Sequence, residues 1–163
     1  VLGDARISIT TEQALDPSLD FDILIVDAFN SDTVPVHLMT QEMFENYVGA
    51  LATDGLLAFD VSNRHFDLIR LVARLGMEAG LQSITGVTFT SIEHLSLKAR
   101  WVFLARERNQ ITRLERDLKR GHRALGIEPS LIRTHFTRLI DVKRVPVWTD
   151  DYSDLYSLLK RKW

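Results

Sequence analysis

Polar residues gather where apolar runs give out, and those junctions are where side chains of this sequence would meet a ligand. The run Phe21–Val26 ends on Asp27 and passes into a polar loop holding Asn30, Ser31, Asp32 and Pro35. A second apolar run, 56–61, ends on Ser62 and Asn63, and Asp4 holds the same place if Val1-Leu2 is the tail of a strand. Open α/β sheets bind ligands beyond the carboxyl ends of their strands, so three polar clusters in one topological position outline a site. Each cluster has a competing reading as a helix cap or loop turn, and for Asn63 that reading is the stronger one. Later, "WTDDYSDLY" brings Trp148, Asp150, Asp151 and Tyr152 together. Such an acidic, aromatic wall suits a cationic ligand, with an ordinary helix start as the equal alternative. His37 stands in the loop as a candidate base, although a lone loop histidine is more often a surface residue.

The elements that would carry these residues follow from hydrophobic period. Phe21–Val26 is a short run apolar on both faces, as a buried strand requires. Thr40 caps a helix with Glu42 in its first turn and Met43, Phe44, Tyr47, Val48 and Leu51 on one face. Asp54-Gly55 is the expected stop of that helix, and residues 56–61 the expected second strand. A further helix turns Leu68, Ile69, Val72, Leu75 and Ala79 inward and stops at Gly80. Residues 83–89 and 100–105 are two more strands, expected as an antiparallel closing pair. Strand–helix alternation predicts an α/β layer with a mainly parallel sheet. From Asn109 the texture changes to charged helix with a thin stripe at Ile111, Leu114, Leu118 and Leu125. "EPSLIRTHFTRLI" predicts a short helix, and the tail predicts an extended piece followed by a final helix capped by Thr149. Residues 1–108 thus read as an α/β domain and residues 109–163 as a helical C-terminal extension packed on it.

Composition bounds the function. The chain has 163 residues, 45% hydrophobic and 26% charged, as in an ordinary soluble domain. A net charge of −2 supplies no global field for nucleic acid or an anionic membrane. The basic residues of 100–123 are interleaved with Glu107, Glu115 and Asp117 and lack an aromatic platform, so they describe a solvated helix face. There is no cysteine, which excludes disulfides, thiolate metal sites and cysteine nucleophiles. The five histidines show no metal-ligand spacing, and no G-x-S-x-G elbow supports a serine hydrolase. No apolar run approaches the roughly 20 residues of a membrane span.

"GDAR" followed by "FDILIVDAF", the Pro35 loop, a helix, "DGLLAFDVSN" and the later strands resemble the spermidine synthase family of class I S-adenosylmethionine-dependent transferases. The likeness is closer to bacterial spermidine synthase-like proteins, some fused to membrane transporter segments, with similar "DAFNSD–VP" and "WTDDYS" stretches. It covers residues 1–108 well and the tail more loosely. The resemblance implies a Rossmann-like sheet of the class I methyltransferase type. It implies transfer of an aminopropyl group from decarboxylated S-adenosylmethionine to a small-molecule amine acceptor, without a metal, in the cytoplasm. Asp4, with Ala5 beside it, matches the family's adenine contact. Asp27 matches the carboxylate that engages the attacking amine, a role that suits a group able both to anchor a cation and to accept its proton. Asn30, Asp32, Asp150, Asp151 and Tyr152 would surround the acceptor.

Two departures qualify that picture. The family's second amine-binding Asp falls on Asn30, which attracts a diamine less well, and this lends support to methyl transfer from S-adenosylmethionine as a first alternative. None of the eight glycines forms a G-x-G, so the loop that cradles the donor is expected upstream of Val1. A non-catalytic interaction or sensing domain is the second alternative. Lacking the first strand of such a sheet, Phe21–Val26 would present an apolar edge, which predicts either further N-terminal sequence or a homodimer to cover it.

Overall fold

A computed structural model describes residues 3–27, 33–88, 99–124, 135–137 and 141–160. Its strands are β1 (Phe21–Val26), β2 (Leu51–Asp60), β3 (Gln82–Thr88), β4 (Ala99–Ala105) and β5 (His135–Thr137). Its α-helices are α1 (Ala5–Leu15), α2 (Gln41–Gly49), α3 (Leu68–Glu78) and α4 (Arg108–Ala124). The strands form one sheet in the order β1-β2-β4-β3-β5. β1 and β2 are parallel, while β4 lies between β2 and β3 and runs antiparallel to both, as β5 does to β3. The expected α/β class is therefore present, with β1, β2 and β3 pointing one way. The expected preponderance of parallel pairing is corrected: the β3–β4 hairpin pair closes the sheet by placing β4 against β2, so three of the four pairings are antiparallel.

Alternation along the strands divides the core into two layers. Leu57, Phe59, Val102 and Leu104 face the main layer with Met43, Phe44 and Tyr47 of α2 and Leu68, Leu71, Val72 and Leu75 of α3. Phe44 stacks on Phe59 at 5.3 Å, and Tyr47 meets the same ring edge-on at 5.5 Å. The other face packs Leu56, Ile84, Phe103 and Ala105 against Ile111 of α4.

Helix boundaries follow from local chemistry. Thr40 Oγ1 accepts from Met43 N at 3.3 Å and starts α2, as expected. Gly80, at φ 76°, ends α3: its own N–H reaches Met77 O at 3.1 Å and that of Leu81 reaches Gly76 O at 2.7 Å. The α2 stop differs from expectation, lying at Gly49 with β2 already begun at Leu51. Arg106, at the end of β4, supplies the reason. Its guanidinium donates to Val48 O and Ala52 O at 2.8 Å and to Leu51 O at 3.2 Å, satisfying the carbonyls a longer helix would have used. Asp54-Gly55 lies instead within β2, where the register shifts from Phe21↔Leu51 to Ile23↔Leu56. At that irregularity a Cβ on Gly55 would stand 2.7 Å from Phe21 O, so glycine permits the close approach.

Two tail expectations are also corrected. His135–Thr137, inside the expected short helix, is strand β5, and the rest of that stretch lies outside the described residues. The final helix does not form. Thr149 and Tyr152 close a tight turn on each other (N···O 2.9 and 3.2 Å), and among the described residues only a 3₁₀ turn at Tyr156–Leu158 follows. Trp148 and Leu158 are buried in the main core, and that anchoring pins the tail in an extended course.

Candidate functional site

The N-terminus of α1, the 3₁₀ turn Val36–Leu38, the cap of α2 and the turn 149–152 converge on one cleft. Arg6, Val36, His37, Thr40, Thr149, Asp150, Asp151, Tyr152 and Ser153 line it, and its volume is about 590 Å³. Asp4 starts α1: Oδ1 accepts from Arg6 N at 2.9 Å and Ile7 N at 3.2 Å. Its other oxygen lies 3.2 Å from His37 Nε2. The amide of Ile7, with that of Arg6 and the nearby imidazole, holds the Asp4 carboxyl below the ordinary carboxylate range.

Arg6, two residues further along the turn, spans the cleft. Its guanidinium grips both oxygens of Asp150, Nη1 at 2.7 Å from Oδ1 and Nη2 on Oδ2, and Nη1 also donates to His37 O at 3.2 Å. This fork depresses the Asp150 carboxyl pKa and raises that of the guanidinium. Asp150 N donates to Glu42 Oε2 at 3.0 Å, and Gln41 N to Trp148 O at 2.8 Å, so the turn is tied to the start of α2. Beneath the cleft Tyr47 donates its hydroxyl to Leu38 O at 3.3 Å, and burial pushes its phenol pKa up.

Of the residues singled out by sequence, Asp4, His37, Asp150, Asp151 and Tyr152 meet at this place. Ala5 is exposed at the first position of α1 and does not line the cleft. Asp27 is exposed immediately after β1, and the chain returns at Thr33 to enter the cleft wall at Val36 and His37. Asn30 and Asp32 lie outside the described residues. The second strand end contributes local structure instead: Asn63 Oδ1 accepts from His65 N and Phe66 N at 2.8 Å, and Ser62 Oγ from Arg100 N at 2.9 Å. Trp148 is no part of an exposed wall, being wholly buried. Arg6 was missed by sequence reasoning, since its partner lies 144 residues away and only "GDAR" marks its position.

The larger groove, about 1120 Å³, opens elsewhere, between the amino end of β1, the irregular part of β2 and α4. Its ion pairs, Asp117 with Arg113 and Arg116, lie along α4 alone, whereas four segments meet in the smaller cleft, which is the better candidate on chemistry. Among the described residues no group of three or more histidine, aspartate or glutamate side chains is placed to hold a metal ion, and no helix is long and apolar enough to cross a membrane.

No protein-family profile and no curated protein matches the chain. Among solved structures, MnmC2 from Aquifex aeolicus is 17% identical, with 70% of this chain and 34% of that one covered at a TM-score of 0.43. A probable spermidine synthase from Corynebacterium glutamicum is 18% identical, with a TM-score of 0.54 over 95% of this chain. This chain spans 55% of that protein's length. What the second likeness shows is the fold, an α/β sheet of the Rossmann-like kind found in spermidine synthases and class I methyltransferases.

Proposed function

We propose that the chain belongs to a transferase that moves an aminopropyl group from decarboxylated S-adenosylmethionine to a cationic amine. The observation that carries this reading is the charge of the cleft. Among the described residues, Asp4, Asp150, Asp151 and Glu42 stand against the guanidinium of Arg6, four carboxylates to one fixed cation. Such an excess attracts an amine acceptor and a sulfonium donor alike. In the proposed reaction the amine nitrogen forms a bond to the carbon next to sulfur. The C–S bond breaks with its electrons going to sulfur, and the proton lost by nitrogen passes to Asp27. Asp4 would stand on the adenine side, with Asp4 Oδ2 sharing its lone pairs between His37 and the base. Asp151, Tyr152, Asn30 and Asp32 would stand on the acceptor side.

Asp150 departs from that assignment, because its charge is already matched by Arg6. This favours, as a second reading, methyl transfer from S-adenosylmethionine to an acceptor less dependent on charge. Calorimetry with both sulfonium donors, with and without putrescine, separates the two. If Asp27 serves as the base, Asp27→Asn lowers turnover by about 10²-fold or more while donor affinity stays within about twofold. Equal losses in both quantities would remove Asp27 from that role, and failure of both donors to bind would defeat both readings.

A further inference from the structure

His37 is held at two points by the first turn of α1. Its Nε2 lies 3.2 Å from Asp4 Oδ2, and its carbonyl accepts from Arg6 Nη1 at 3.2 Å. Neither contact is needed to seat the turn Val36–Leu38, because its neighbours already do so: Leu38 and Met39 are buried, and Leu38 O accepts the Tyr47 hydroxyl. The polar grip stays partly open instead, with the Asp4 and His37 side chains 41% and 50% exposed and His37 in the cleft wall. We propose, resting on the transfer reading above, that His37 is a positioning residue that couples the two sides of the site. It registers the chain that leaves β1 at Asp27 against the donor contact at Asp4, so that donor and amine acceptor bind cooperatively.

The sign of the coupling follows from which partner is fixed. Asp4 Oδ1 is committed to the amides of Arg6 and Ile7, and the Arg6 guanidinium is forked onto Asp150, so α1 and the turn at 149–152 form the frame. His37 is the partner that is held. An ionised carboxylate only accepts, so the imidazole hydrogen sits on Nε2 and leaves Nδ1 as an acceptor. Asp4 Oδ2 has two lone pairs, of which His37 takes one and leaves the other for an N–H of the donor's base. A base bound there steadies the oxygen on which His37 rests. His37 in turn fixes where the chain from Asp27 re-enters the cleft wall. Both side chains are open enough to move in the empty cleft, and freedom removed by the first ligand need not be removed again by the second. The coupling is therefore positive, and it is equal in both directions.

Calorimetry on the wild-type chain reads the coupling directly. Methylthioadenosine, the thioether left when an aminopropyl group departs, occupies the donor side without reacting, and putrescine is the acceptor probe. Each is titrated alone and in the presence of the other. Each should tighten the other by about two- to tenfold, the range that one such hydrogen bond supplies. His37→Phe keeps a ring and loses the N–H, and should abolish that factor while methylthioadenosine alone binds within about twofold of wild type. His37→Gln restores an N–H donor and should recover part of the coupling. A residue that only held the turn would shift the thermal midpoint and leave the coupling as it was. Ligands that bind independently or antagonistically in the wild-type chain overturn the inference and leave the transfer reading standing, as does a factor unchanged in His37→Phe. Failure of methylthioadenosine to bind, or of putrescine to bind beside it, defeats the aminopropyl reading and this inference with it.

Discussion

Arg6 and Asp150, replaced singly and together, give the sharpest measure of what holds the cleft wall. The pair is bidentate but only partly sheltered, with side chains 27% and 39% exposed, so its attraction must be discounted for solvent screening. Exposed pairs contribute about 0.2–1 kcal/mol, and fork-to-fork geometry places this one near the top of that range. A coupling of about 0.5–1 kcal/mol is therefore expected between Arg6→Met and Asp150→Ala. The singles should differ. Arg6→Met also loses the bond to His37 O, adding about 1 kcal/mol, whereas Asp150→Ala retains the backbone N–H on Glu42. Urea unfolding of the four proteins, at about 0.05 M and about 1 M NaCl, supplies the cycle and its salt dependence. The coupling should shrink markedly at high salt. A coupling indistinguishable from zero at low salt would refute the view that this pair joins α1 to the turn, and one insensitive to salt would refute its ionic character.

Three other outcomes follow from the same geometry. Arg106→Ala, which orphans the carbonyls of Val48, Leu51 and Ala52, should cost about 2–4 kcal/mol in urea unfolding, and Lys at that position should recover only part of the loss. Gly76→Ala would drive a Cβ to 2.0 Å from Leu104 Cδ2, so overpacking should lower stability by about 1–3 kcal/mol in the same assay. The carboxyls of Asp4 and Asp150 have depressed pKa values when folded, so their contribution is complete above the unfolded value and is lost as pH falls through the folded one. Below about pH 4 the wild-type chain should therefore lose stability more steeply than Asp150→Ala, as read from thermal midpoints across an acid series.

Much of the fold was legible because caps and stripes agreed. Thr40 with Met43, Phe44 and Tyr47, and Leu68 to Leu75 with Gly80, each named a helix, its buried face and one of its ends. The errors share a physical cause, which is rescue from a distance. Asp54-Gly55 carries the composition of a helix stop, but the guanidinium that ends α2 comes from Arg106, more than fifty residues on. α1 escaped notice because Ile7, Ile9, Thr10 and Thr11 are β-branched, and the Asp4 cap outweighs their poor propensity. The tail held enough helix formers to suggest a helix, yet burial of Trp148 and Leu158 commits it to an extended path. At the site the carboxylates announced themselves by position. Arg6 did not, since nothing local distinguishes a guanidinium awaiting a partner from one facing solvent.

The link between residues 6 and 150 also bears on how the molecule assembles. Every wall of the cleft joins segments distant along the chain: α1 to the turn at 149–152, and that turn to the cap of α2. Loop closure over such separations has to be met before any of these contacts gives a return, so the cleft is expected to form late, after the β3–β4 hairpin and α3. The same arrangement makes the cleft the natural point of first opening. Release of the 149–152 turn would dismantle the candidate site while the sheet stayed folded, so ligand occupancy would act as a latch on the tail. Hydrogen exchange at residues 148–152 would slow on binding even where the rest of the chain showed no change.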